Sequence, residues 1–136
     1  MPVHLTDRYT CGAKRTEPIW TSPVASDLRF GSAKPVYVLV DKATFSAAED
    51  FVYALQALKR VTVIGETTRG GAHNGRGFKL DDHFLASIPH RVSINPVTRT
   101  DWEGTGIKPD VAVAAADALP TAQALAAKAI ASVPKR

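Results

Sequence analysis

A serine at the junction between an apolar run and a helix-like run is the residue of this chain best placed for nucleophilic chemistry. Ser46 follows Val36–Val40 and a short polar turn, and it opens a segment with helical spacing. A helix start presents unpaired N–H groups and the positive end of the helix dipole, and both stabilise developing negative charge. The Ala47 N–H is therefore placed to hold an oxyanion formed when Ser46 attacks a carbonyl. Small Ala47 and Ala48 leave room for a substrate to approach. The same residues also read as a capping box, Ser46 with Glu49 three positions on, which contributes about 0.5–2 kcal/mol of helix stability. Local sequence leaves nucleophile and cap both open.

Other polar residues are candidates by position. His73 follows Gly70 and Gly71 in a glycine-rich stretch, at the carboxyl edge of a second apolar strand, where open α/β sheets place their sites. A histidine there is either a surrogate base, because imidazole titrates near neutrality, or a residue of the substrate cleft or loop packing. Glu103 lies in the turn Trp102-Glu103-Gly104. His4, His83 and His90 have no partner at metal-ligand spacing and read as surface or turn residues, so no metal is expected. The glycines make neither GxGxxG after a strand nor GxxxxGK[ST], which leaves nucleotide binding without support. Asp81-Asp82 reads as a turn and not as a glycosidase pair.

These residues need a frame. Val36–Asp41 is apolar on both faces and predicts a central parallel strand. From Ser46 to Arg60, apolar Ala48, Phe51, Val52, Leu55 and Leu58 repeat at three and four, one helix face, with Glu49, Asp50, Gln56 and Lys59 opposite. Residues 61–66 predict a strand, 67–77 a loop with four glycines, and 84–88 and 91–94 two short strands around Pro89-His90. Asp117 is the expected N-cap of a last helix, with Pro120 in its first turn and Leu119, Ala122, Ala126, Ala129, Ile130 and Val133 as its stripe. Residues 1–34, punctuated by Pro and Gly, are expected to form an irregular arm anchored by Trp20 and Phe30, ahead of an α/β domain over 35–136.

At 136 residues the chain suits one domain, and folding at this size buries roughly 68% of the unfolded surface. A net charge of +4, with no run of more than two adjacent Lys or Arg and few aromatics, argues against nucleic-acid binding. One cysteine, Cys11, excludes an intrachain disulfide and a CxxC knuckle. No apolar stretch approaches the ~18 residues of a membrane span, and no signal-type segment opens the chain.

Three motifs in order, TFSAAEDF after an apolar strand, VIGETTRGGAH and DWEGTGIKPDV, resemble the tail-specific (C-terminal-processing) serine peptidases. The likeness is greatest to the branch of the tricorn core and interphotoreceptor retinoid-binding protein, and covers about residues 34–115. It implies an α/β fold with a ClpP/crotonase-like β-α spiral core, of which this chain would hold part. It also implies Ser46 as nucleophile, Glu103 as the glutamate that orients a histidine, no cofactor, and a peptide or protein substrate. The Ser/Lys version of the family is not matched, because no lysine lies between Lys59 and Lys79. Nor does Asp27-Leu28-Arg29-Phe30-Gly31 carry the Asn and Gly pair of the family's upstream histidine-and-oxyanion segment.

The expectation is thus a serine peptidase domain acting through an acyl-enzyme and weak or inactive by itself. The alternative is a non-catalytic lipid- or peptide-binding module like the retinoid-binding relatives. The likeness also suggests an exported or periplasmic parent protein, and an uncovered apolar face would favour a homodimer.

Overall fold

In a computed structural model, residues 1–23, 28 and 30–132 are described. Asp27 and Arg29 of the upstream comparison, and Val133 of the last stripe, lie outside them. The elements run β1 (His4–Thr10), β2 (Arg15–Trp20), β3 (Tyr37–Val40), α1 (Ala47–Ala57), β4 (Thr62–Gly65), β5 (His73–Lys79), β6 (Leu85–Ile94), β7 (Val111–Ala112) and α2 (Ala115–Ala131).

Two sheets result: a parallel one in the order β3-β4-β7, and an antiparallel one in the order β2-β1-β6-β5. Alternation along β4 builds two cores, because successive side chains of a strand point to opposite faces. Val63 joins Val40, Val52, Ala72, Trp102 and Ile107 on one face. Ile64 joins Ala118 and Ala122 of α2 on the other. The mixed α/β class expected from the strand–helix–strand order is what the chain adopts.

Several expected elements differ in detail. The first twenty residues are a β-hairpin, not an irregular arm, and β1 pairs on into β6. Pro18 is tolerated because β2 is an edge strand, where a missing N–H costs no ladder bond. Trp20 stacks on His4, with ring centroids 4.5 Å apart. Phe30 lies under the Lys34 and Arg60 cations. The strand expected to be central, β3, is at the edge, and β4 is central.

The second half of the glycine-rich loop is β5, and the two short strands are one, β6. Pro89 survives inside β6 because at that point the strand is paired only with β5, next to a register shift at Asn74/Gly75. The last helix begins at Ala115 with Ala114 as N-cap, so Asp117 sits in the first turn and Pro120 is internal. Its buried side chains are Ala118 and Ala122, while Leu119 and Ile130 are exposed.

Candidate active site

Ser46 is delivered by a short, heavily bonded turn. Asp41, just past β3, accepts the N–H groups of Ala43 and Thr44, both at 2.9 Å, and the Thr44 hydroxyl at 3.1 Å. These bonds, led by that from Ala43, hold the Asp41 carboxyl below its ordinary value. Ser46 then adopts φ 56°, ψ −118° as the N-cap of α1. A non-glycine residue in that region stores about 1–3 kcal/mol of strain and persists only where its surroundings over-determine it. A sharp strand-to-helix turn of this kind lifts a serine hydroxyl clear of the sheet. The Ala47 N–H has no acceptor among the described residues.

What over-determines the turn is Glu49. Sequence placed it on the polar side of α1, yet it is 0% exposed, whereas Phe51, assigned to the apolar stripe, is 57% exposed. The helix is rotated because the Glu49 carboxylate finds four donors inside. Oε2 accepts the Ser46 N–H at 2.8 Å and the Gly71 N–H at 2.9 Å. Oε1 accepts the Gly70 N–H at 2.7 Å and the Thr68 hydroxyl. Burial pushes its pKa up, but the bonds from Thr68, Gly71, Gly70 and Ser46 outweigh that and hold it below the ordinary value. The Thr68 hydroxyl in turn accepts the Ile107 N–H at 2.8 Å. One buried carboxylate thereby ties the Ser46 turn, the Gly70–Gly71 loop and the turn before β7 together. Of the expected capping box, the Glu49 arm is fully formed. The Ser46 hydroxyl lies in box position to the Glu49 N–H without making a hydrogen bond of proper geometry.

Glycine is required at the first of these loop positions, and at the second a side chain would displace a neighbouring ring. Gly70 has φ +90° and a Cβ there would sit 2.8 Å from the Gly106 nitrogen, while a Cβ on Gly71 would collide with the Phe45 ring.

Glu103 takes the next two amides of the same loop: its Oε2 accepts the Ala72 N–H at 2.6 Å and the His73 N–H at 2.8 Å. Buried Trp102, packed on Tyr53 at 5.1 Å between ring centroids, anchors the turn that carries it. The Glu103 side chain is 40% exposed, and the His73 ring lies beside it and Asp101, at 3.9 and 3.6 Å.

A cleft of about 240 Å³ opens at Ser46, lined by Arg8, Ala47, Asp50, Gly71, Ala72, Asn74 and Ser93. The structure therefore brings Ser46, Ala47 and Gly71 together. It does not place His73 or Glu103 among the lining residues; Ala72 and Asn74 face the cleft while His73, between them, lies against Glu103 and Asp101. Gly70 and Gly71 offer no free N–H, since Glu49 holds both. The residues sequence reasoning missed are Thr68, Arg8, Asp50 and the buried role of Glu49. Burial pushes the Asp50 pKa up, against the nearby Arg8 charge. The capping-box spacing was the only signal for Glu49. Nothing local marks Arg8, which arrives from a strand nearly forty residues upstream. Among the described residues no cluster of metal-binding side chains gathers, and no helix is long and apolar enough to cross a membrane.

Residues 4–113 match peptidase family S41. A match over that much of the chain shows the class: this chain belongs to that family. Among solved structures it is similar to a photosystem II D1 C-terminal processing protease, with 24% identity and a TM-score of 0.64, over 84% of this chain and 28% of that one. It is also similar to a protein of Parabacteroides merdae ATCC 43184, with 25% identity and a TM-score of 0.71, over 98% of this chain and 46% of that one. A lipoprotein from Streptococcus agalactiae shares the fold at 17% identity and a TM-score of 0.68, over 93% of this chain and 45% of that one. The chain thus spans less than half the length of each of these structures.

Proposed function

We propose that the chain is a serine-type peptidase domain in which Ser46 attacks the scissile carbonyl and the Ala47 N–H holds the oxyanion. The observation that carries this reading is the strained backbone of Ser46, held by a buried carboxylate beside an unpaired helix N–H. Strain of that kind is characteristic of functional sites and has no role in a plain cap. Glu103 has the place of a histidine-orienting carboxylate: Oε2 is engaged by two backbone N–H groups, and Oε1 takes no hydrogen bond among the described residues.

Among the described residues no histidine or lysine lines the cleft around Ser46. Residues 1–136 alone are therefore proposed to turn over peptides weakly, since loss of a triad-type base costs on the order of 10⁴–10⁶-fold. That same lack of a base favours the second reading, a lipid- or peptide-binding module without catalysis. Mass spectrometry after treatment with a fluorophosphonate separates the two. Ser46 is expected to carry the adduct and Ser46→Ala to carry none; an unlabelled Ser46 would overturn the peptidase reading. The substrate under this proposal is a peptide or protein. A homodimer is also proposed, through the exposed Phe78, Leu80, Phe84, Leu85 and Ile88 of the β5–β6 hairpin. A monomer by sedimentation equilibrium at ~100 μM, enough to populate any dimer tighter than about −7 kcal/mol, would exclude it.

A further inference from the structure

The Ser46 cleft does not end at the serine. It shares Ala47 and Asp50 with a second cavity of about 350 Å³, lined by Leu5, Thr6, Ile19, Thr21, Phe51, Ala54 and Leu55. This cavity lies between β1, β2 and α1. Ala54 in its lining is buried, and among the described residues its polar lining is Thr6, Thr21 and Asp50.

We infer that this cavity is the subsite for the acyl-side residue of the substrate and selects a large apolar side chain, leucine or phenylalanine in class. The inference rests on the proposed role of Ser46 and Ala47 and specifies what that site accepts.

Connectivity makes the assignment. The oxyanion belongs to the carbonyl of the acyl residue, so when it sits on the Ala47 N–H the Cα of that residue is one bond from the carbonyl carbon. Its side chain is then the nearest of the substrate's side chains to the cavity mouth at Ala47. The residue on the leaving side begins with its nitrogen and places its side chain a bond farther away. Chemistry makes the selection. A lining of Leu5, Ile19, Phe51, Ala54 and Leu55 gains from burying apolar surface, and the one charged group among its described lining residues is Asp50, where the cavity meets the Ser46 cleft. Asp50, shared between this cavity and the Ser46 cleft, disfavours an acidic side chain there whenever it carries its charge. An extra methylene in such a pocket changes the specificity ratio about 10–200-fold, so discrimination against glycine or a charged residue should be easily measured.

Two independent readouts test it. In the first, the purified protein is titrated with N-acetyl-leucinamide and N-acetyl-lysinamide while the Ile19, Leu5 and Leu55 methyl signals are followed by NMR. In the second, diphenyl phosphonate peptides that differ only in the acyl-side residue (Leu, Phe, Gly, Lys, Glu) are compared for labelling rate. In that reaction the Ser46 Oγ–P bond forms, a P–O bond breaks, and phenol leaves with the serine proton. The expected results are methyl shifts with the leucine ligand only, and labelling by the Leu and Phe probes at least about 10-fold faster than by Gly, Lys or Glu. Ile19→Asp, in the lining of the cavity on edge strand β2, should move the preference toward Lys. Ala54→Leu, which fills the cavity, should erase the Phe preference while a small fluorophosphonate still labels.

Methyl shifts without labelling by any probe would leave an apolar side-chain pocket but overturn its assignment to the acyl side, together with the nucleophile it rests on. Labelling without apolar preference, together with silent methyls, would overturn the subsite and leave Ser46 standing. Neither result depends on either variant folding, because both readouts are made on the unsubstituted protein.

Discussion

Two carboxylates hold the four consecutive amides from Gly70 to His73, and they do so under opposite conditions. Glu49 is fully buried and accepts four donors with both oxygens. Glu103 is 40% exposed on its side chain and uses one oxygen for two donors. A buried carboxylate with every site filled can only hold its partners in place, because moving it would strand a charge and four donors away from water. A half-exposed carboxylate with one oxygen outside any hydrogen bond among the described residues has room for a further donor. The loop is thus pinned from within at its glycine end and held from a half-exposed side chain at its histidine end.

The largest effect should come from removing the pinned side. Glu49→Gln keeps the shape but points an NH₂ group at two donors, and each buried donor left without an acceptor costs about 1–3 kcal/mol. Thermal melts should show that loss, and fluorophosphonate labelling of Ser46 should fall with it even well below the melting temperature. A variant that melts like the parent would remove the distinction between the two carboxylates.

Acid sharpens it further. The Glu49 pKa is lowered in the fold, so its stabilisation is complete above the unfolded glutamate value and is lost as pH falls through the lower folded value. The acid limb of a stability–pH curve should therefore flatten in Glu49→Gln. Asp50 acts with the opposite sign: its pKa is raised by burial, so stability falls as pH climbs from the unfolded to the folded value. Asp50→Asn should be the more stable protein above that window, measured by urea unfolding at neutral pH.

Glu103→Gln is expected to cost only about 1 kcal/mol, since an amide oxygen still accepts both N–H groups and the remainder of the side chain faces water. A loss as large as that of Glu49→Gln would break the comparison. The smallest effect belongs to Ser46. Its hydroxyl makes no proper cap bond, so Ser46→Ala should melt within about 0.5 kcal/mol of the parent instead of showing the usual cap loss. Ser46→Gly should gain about 1 kcal/mol by relieving the positive φ. A clear destabilisation in both would restore the cap as the main role of this serine.

Much of the molecule was legible in its residues. The apolar run Val36–Val40 and the three-and-four spacing after Ser46 predicted β3 to within a residue and α1 to within three, because both periods are local. Proline and glycine misled in the first twenty residues and around Pro89, since whether a proline breaks a strand depends on which side of it is paired, and pairing is not local. The same limit applies to Glu49. A glutamate on a helix reads as solvated unless its partners are known, and those lie about twenty residues away at Thr68, Gly70 and Gly71.

By itself the sequence determined the α/β class, the family motifs, and a serine at a helix start beside a small residue with a free N–H, because strand and helix periods and N-terminal amides are properties of neighbouring residues. Only the tertiary structure decided which way α1 faces, that Ser46 is strained, that the glycine-loop amides are already taken, and that an apolar cavity adjoins the serine. Each of these turns on groups brought together from distant parts of the chain, where burial makes a satisfied carboxylate more stable inside than out.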